Sequence, residues 1–189
     1  MTDERFKDRT VILGVTGGIA VYKVADLASR WTQRGATVRV LMTQAATRFV
    51  TPLTFQSVTR QPVSTDIWQA EEHTAHRPEH IGQGDDADLF VIAPATADFL
   101  ARYAHGFAND IVTLTLLAYV GPVLVAPAMN DRMWAHPAVQ ANVQTLTDRG
   151  VGIIDPGVGH LACGSWGAGR LADLDDIDRA VTDALHVGA

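Results

Sequence analysis

Thr10-Val-Ile-Leu-Gly-Val-Thr-Gly-Gly-Ile-Ala20, followed after one helix-length segment by Ala36-Thr-Val-Arg-Val-Leu-Met42, decides the fold. Residues 10–15 form a short run rich in β-branched side chains, which predicts a buried strand. Gly14-Val-Thr-Gly-Gly18 then turns the chain. Ala20, Val24, Leu27 and Trp31 follow at helical spacing and mark one apolar face of an amphipathic helix. Gly35 sits where a helix stop favours glycine, and residues 36–42 read as a second strand. The unit is βαβ.

The same alternation continues outward. Thr51-Pro52 reads as an N-cap with proline in the first turn, opening a helix to about Thr59. Asp66 to Asp86 is a polar stretch expected to run along the surface, and a segment of that length is usually functional or disordered. Asp88 to Ala93 is a continuous apolar run, a strand covered on both faces and expected to stop at Pro94. Helices are expected over 96–107 and 109–118, and a fourth strand over Pro122 to Ala126, stopped by Pro127. A helix from Pro137 to Arg149 ending at Gly150, a fifth strand over Val151 to Ile154, a loop over Asp155 to Arg170 and a helix over Asp173 to Leu185 complete the chain. Strands alternating with helices predict an α/β fold, a doubly wound parallel sheet in a flavodoxin/Rossmann-like three-layer sandwich. We expect residues 1–189 to be one domain.

Composition narrows the function. The chain has 189 residues, 47% hydrophobic and 19% charged, with a mean hydropathy of +0.07. A single cysteine excludes an internal disulfide framework and a Cys-rich zinc module, and it suits a reducing cytoplasm. With 15 Lys+Arg against 21 Asp+Glu and no basic cluster, nucleic-acid binding is not expected. Lys7 and Arg9 ahead of an apolar stretch imitate a signal peptide, but Thr16-Gly17-Gly18 interrupts it and no small-residue cleavage site follows. Val112 to Met129 is too broken by Thr113, Thr115, Gly121, Pro122 and Pro127 to span a bilayer. Neither a membrane nor a metal is expected as a partner.

In such a sheet, ligands sit beyond the carboxyl ends of the strands. After the first strand, Gly14-Val-Thr-Gly-Gly18 precedes a helix N-terminus, whose free N–H groups favour a phosphate, although a tight packing turn explains the glycines equally well. After the second strand, Thr43-Gln44 stands where NAD binders carry an acidic residue, so a mononucleotide such as FMN fits better. Thr43 also reads as a helix cap, and Phe49 as a core aromatic. Asn130, in Pro127-Ala-Met-Asn-Asp-Arg-Met-Trp134, offers an amide able to hold an amino-acid-like carboxylate, or an N-cap. His73, His76 and His80 lie in the polar stretch without the framework of a metal site. His80, near the third strand, has the chemistry of a general acid or base. Cys163 sits in a Gly-rich segment able to close over a substrate, where a protonated thiol can donate. Trp166 beside it either shields the site or packs.

Four motifs together resemble those of the homo-oligomeric flavin-containing cysteine decarboxylases, over about Val11 to Ile177. They are Gly14-Val-Thr-Gly-Gly-Ile-Ala20; Pro94-Ala-Thr-Ala-Asp98 with Gly106-Phe-Ala-Asn-Asp110; Pro127-Ala-Met-Asn-x-x-Met-Trp134; and Ala162-Cys-Gly-x-x-Gly-x-Gly-Arg170. Within that family the likeness is greatest to the branch that acts on 4′-phosphopantothenoylcysteine in coenzyme A biosynthesis. The resemblance implies FMN held by Gly17, Gly18, Ile19, Thr43, Phe49, Thr96, Ala97, Asp98 and Met129. It also implies a substrate held by Asn130 and Met133, a catalytic His80, and Cys163 as the acid on a mobile flap. A homotrimer, or a dodecamer of trimers, with its active site between subunits is implied as well.

Direct loss of CO2 from an acylated cysteine leaves an unstabilised carbanion. The implied reaction therefore oxidises the Cβ–S bond to a thioaldehyde, decarboxylates to an enethiolate, and returns hydride with a proton from Cys163 to give 4′-phosphopantetheine. Some members of the family stop at the enethiol of a peptide's C-terminal cysteine, and the best-studied of those lack the flap cysteine. That activity is the alternative, kept open by Ile81-Gly-Gln-Gly-Asp-Asp86, which is less apolar than the family's usual stretch. A prenyl-FMN transferase, with a different C-terminal loop, and a regulatory flavoprotein, with acidic extensions, are more distant readings. The length leads us to expect the decarboxylase without a fused ligase.

Overall fold

Parallel pairing throughout the main sheet forces every connection to cross one of its faces, and the helices do the crossing. The computed structural model describes residues 3–68, 84 and 86–187. Among these, β1 (Thr10–Val15), β2 (Thr37–Met42), β3 (Val63–Ser64), β4 (Leu89–Ala95), β5 (Val123–Pro127) and β6 (Gly152–Ile153) form a parallel sheet in the order β3-β2-β1-β4-β5-β6. The order reverses direction between β1 and β4, where a doubly wound sheet opens its crevice.

A period of two along the strands builds two cores. Val11, Leu13 and Val15 of β1 and Leu89, Val91 and Ala93 of β4 face α1 (Val21–Arg34), α2 (Pro52–Thr59) and the C-terminal helix, Leu174–Val187. Ile12 of β1 and Phe90 and Ile92 of β4 face α3 (Ala97–Ala104), α4 (Ile111–Ala118) and the helix Pro137–Asp148. Between α4 and that helix lies a one-turn helix, α5 (Asp131–Trp134), so the last two helices are α6 and α7. Helix α1 ends as its sequence predicts, with Gly35 left-handed at φ 109. Its Trp31 is fully buried and still donates from Nε1 to Asp178 of α7 at 2.9 Å.

Three expectations need correction. Pro94 does not stop its strand, whereas Pro127 does end its strand, as that strand's last residue and not the first beyond it. β4 continues through Pro94 to Ala95, with the ladder shifting register where the ring has no N–H to give, and β5 includes Pro127, which pairs with Ala95. The two-residue β3 was missed, because so short a strand carries no period. Asp155 to Arg170 is not a loop throughout: β7 (Gly157–His160) and β8 (Trp166–Arg170) pair as an antiparallel hairpin. Of the expected surface stretch, only residues 66–68, 84 and 86 are among those described.

Thr16 joins the two strands at the switch point. Its hydroxyl donates to the Pro94 carbonyl at 2.6 Å and accepts from the Thr96 N–H at 3.1 Å, while the residue is only 2% exposed. Thr16→Val keeps the shape and strands both partners, which costs about 1–3 kcal/mol. The expected outcome in urea is a lower unfolding midpoint at unchanged slope, and an unchanged midpoint would show that the hydroxyl carries neither strand end.

Candidate functional site

Just beyond Thr16 the chain lines a cavity of about 560 Å³. One wall is the turn Gly17-Gly18-Ile19 leading into α1, with Thr96 and Ala97 at the start of α3. Gly17 is required sterically, since a Cβ there would overlap that of Ala45. Gly18 has nothing nearer its missing Cβ than Thr96 Cγ2 at 3.7 Å, and so leaves the wall open. No side chain caps the start of α1, whose first N–H groups make that end a favourable place for negative charge. Thr96, in contrast, caps its own helix by accepting from Phe99 N at 3.2 Å.

The opposite wall is Ala128 to Asn130, Met133 and the β7–β8 hairpin. The hairpin is seated by backbone, Met129 N–H donating to Gly169 O at 2.8 Å. Gly169 has φ +140, and a Cβ on it would overlap the Met129 carbonyl, so only glycine allows the approach. Leu161 N–H donates to Ser165 O at 2.9 Å across the hairpin tip, and Gly164 N–H to Leu161 O at 2.9 Å, which presents Cys163 at the tip. The thiol is exposed.

Asn130 uses both ends of its amide. Oδ1 accepts from Arg132 N at 2.9 Å and caps α5, while Nδ2 donates to Cys163 Sγ at 3.0 Å. The N-cap expected for Asn130 is therefore present, and its donor edge faces the cavity. Sγ also lies 3.1 Å from the Ser165 hydroxyl, which donates to Asp131 Oδ1 at 2.8 Å. A Ser165 hydroxyl proton turned to Sγ would lower the thiol's pKa most, followed by the Ser165 backbone N–H and the Asn130 amide. With that proton on Asp131 the hydroxyl oxygen accepts instead, and the backbone N–H and the amide are the donors that remain on Sγ.

The cavity gathers Gly17, Gly18, Ile19, Thr96, Ala97, Met129, Asn130, Met133 and Cys163 from the residues singled out in the sequence. Thr43, Phe49 and Asp98 lie off it. Thr43 caps the turn at Ala46 by accepting from its N–H at 3.2 Å. Phe49 is 51% exposed and so is no core aromatic, and Asp98 pairs with Arg102 at 2.8 Å. His73, His76 and His80 lie outside the described residues, among which no group of ligands could hold a metal ion. Trp166 is exposed and meets the His160 ring edge-on at 4.7 Å.

Sequence reading missed Tyr22, Lys23, His160 and Arg170, which also line the cavity. The first two follow the glycine turn by one helical turn, and Arg170 ends the flap motif. Arg170 donates to Asp173 at 2.8 Å, yet its Nε is buried without a partner. Lys23 and Arg170 bring two cationic side chains to the lining in a chain of formal charge −6, that of Arg170 paired with Asp173.

A family profile described as Flavoprotein matches residues 2–186. The coenzyme A biosynthesis bifunctional protein CoaBC of Bacillus subtilis (strain 168) is 47% identical over 170 residues, covering 90% of this chain and 41% of that protein. The chain thus spans well under half the length of the curated relatives it matches. Among solved structures, the FMN-dependent cysteine decarboxylase SpaF superposes with a TM-score of 0.82 at 33% identity, covering 97% of this chain and 98% of that one. A cysteine-to-serine mutant of PPC decarboxylase complexed with pantothenoylaminoethenethiol also has a TM-score of 0.82, at 29% identity, covering 93% and 97%.

The double use of Asn130 makes a signed prediction. Asn130→Asp keeps an oxygen for the α5 cap but replaces the N–H on Sγ with negative charge, so the thiol's pKa rises. Alkylation of Cys163 by iodoacetamide should slow at least about threefold at neutral pH, with folding stability nearly unchanged. Equal rates would mean that the amide does not act on the thiol.

Proposed function

Because the chain belongs to the flavoprotein family, we propose that it holds FMN in this cavity and decarboxylates the cysteine moiety of 4′-phosphopantothenoylcysteine to 4′-phosphopantetheine. The observation that carries the reading is the pairing of Cys163 with Asn130 on one wall of a cavity whose other wall is an open glycine turn at a helix N-terminus. The residues fit FMN. A volume of about 560 Å³ is that of a cofactor pocket. Ile19 and Met129 offer apolar surface to a flat ring, and the uncapped start of α1, Lys23 and the unpartnered Arg170 Nε suit an anionic group. Gly17, Gly18, Thr96 and Ala97 complete the holding set. Thr43, Phe49 and Asp98, off this cavity in the single chain, belong to the proposal only through the family likeness.

When bound, FMN supplies oxidation of the substrate's Cβ–S group and its later reduction, so that CO2 leaves from an activated carbon without net redox change. The protein's own part is positioning and proton supply. The Asn130 amide has two N–H bonds; with one on Sγ, the other is available to the substrate carboxylate. Carboxylate and thiol are thereby held side by side, and Cys163 delivers a proton once CO2 has left. Met133 flanks the substrate, and His80 serves as the general acid or base. The hairpin tip covers the site and excludes water.

Residues 1–189 constitute one FMN-binding domain in this proposal, acting in the cytoplasm. No helix among the described residues is long and apolar enough to cross a membrane. A homotrimer, or a dodecamer of trimers, with the site between subunits belongs to the proposal through the family likeness; Ile19, Tyr22, Phe49, Leu53 and Phe107 are exposed apolar side chains that such contacts could cover.

The purified protein should be yellow and should release CO2 from 4′-phosphopantothenoylcysteine with phosphopantetheine as product. Cys163→Ser should accumulate an oxidised enethiol instead, and His80→Asn should abolish CO2 release. Phosphopantetheine formed by Cys163→Ser at the wild-type rate would remove the donor role. Turnover of a cysteine-terminated peptide but not of phosphopantothenoylcysteine would favour the peptide-modifying alternative.

A further inference from the structure

Ser165 has one hydroxyl proton and two neighbours that compete for it. Asp131 Oδ1 lies 2.8 Å away and Cys163 Sγ 3.1 Å away. A carboxylate can only accept, whereas a thiol can donate. With Asp131 ionised, the hydroxyl proton goes to the carboxylate, and the Ser165 oxygen turns its lone pairs to Sγ. The thiol proton then has an acceptor. If Cys163 loses that proton, Ser165 can stabilise the thiolate only by withdrawing its hydrogen from Asp131. The chain Cys163 S–H, Ser165 O–H, Asp131 carboxylate therefore resists the ionisation that the Asn130 amide and the Ser165 backbone N–H promote.

We propose that Asp131, acting through the Ser165 hydroxyl, is a positioning residue that keeps Cys163 in its proton-bearing form and orients it at the hairpin tip. The fold gives this pair few alternatives. Gly167 presses the hairpin onto α5 so closely that a Cβ on it would lie 2.7 Å from the Asp131 Cβ, and the Met129–Gly169 bond fixes the same register from the other side. The other titratable or charged groups around the tip are Tyr22 and Lys23 of α1, Arg132 of α5, His160 of β7 and Arg170 of β8. Arg170 is held by Asp173, and Arg132 uses its backbone N–H, not its charge, on Asn130. Asp131 alone among them reaches Cys163 through a hydrogen-bonded hydroxyl.

The inference rests on the acid role proposed for Cys163, but its test needs no turnover. Cys163 is the chain's only cysteine, so iodoacetamide reports on it alone: the thiolate sulfur displaces iodide, and the thiol proton goes to solvent. Alkylation rate is measured against pH for wild type, Asp131→Asn, Ser165→Ala, Ser165→Thr and the double variant Asp131→Asn/Ser165→Ala. Each of the first two single variants should alkylate about threefold faster than wild type near pH 7, as the apparent pKa of the thiol falls. Ser165→Thr should match wild type, and the double variant should be no faster than Ser165→Ala.

Slower alkylation in Ser165→Ala would overturn the proposal, because the hydroxyl would then be a donor to the thiolate. So would an Asp131→Asn effect that is absent, or that is as large without the hydroxyl as with it, the latter being charge acting through space. Either single variant decides the sign if the other fails to fold. A failed decarboxylation assay leaves these rates readable, and failed rate predictions leave the decarboxylase reading standing.

Discussion

The buried hydroxyl of Thr16 is the constraint on which the rest depends. A parallel sheet that reverses its winding between β1 and β4 leaves those two strands diverging into connections on opposite faces. Backbone groups freed at the divergence are costly if left dry. Thr16 answers one carbonyl and one N–H of the β4 exit with a single side chain, holding the Gly17–Gly18 turn and the start of α3 at a fixed separation. The cavity wall follows from that separation, and so does the placing of two helix starts beside it.

The second wall depends on the first only through β5. The segment after Pro127 carries Met129 and Asn130 to the crevice, and the hairpin is laid against it by backbone contacts that only glycine tolerates. Cys163 thus reaches the cavity from a hairpin that is not part of the main sheet, far along the chain from the glycine turn. An exposed tip on a glycine-pinned base is suited to admit a ligand and to close over it. The Asn130 amide joins the two parts, because it caps a helix with one end and touches the sulfur with the other.

How much of this was legible in the sequence follows from period and range. The alternation of β1 and the helical spacing of α1 are local, so the βαβ unit and its ends could be read from residues 10–42 almost to the residue. Asn130 carried two readings of equal weight; the N-cap is present on Oδ1, and the other end of the same amide is left to donate to Cys163 Sγ. The hairpin was illegible because its strands alternate glycine with few strand formers, and their pairing is fixed by contact with Met129, a tertiary effect. The partnership of Ser165 with Asp131 spans 34 residues and leaves no local trace. Thr43, Phe49 and Asp98 were singled out by resemblance, and Thr43 by its place at a strand end, but neither ground requires a side chain to face the cavity of its own chain.

The central claim is that the crevice beyond β1 and β4 is a flavin site with an anion-holding edge. Titration of the apoprotein with FMN and with riboflavin, followed by flavin fluorescence, tests it directly, because the two ligands differ only in the phosphate that the start of α1 and the cationic lining are suited to hold. One FMN per chain should bind, with riboflavin weaker by roughly tenfold or more. Equal affinity for the two, or no binding of either, would contradict the account.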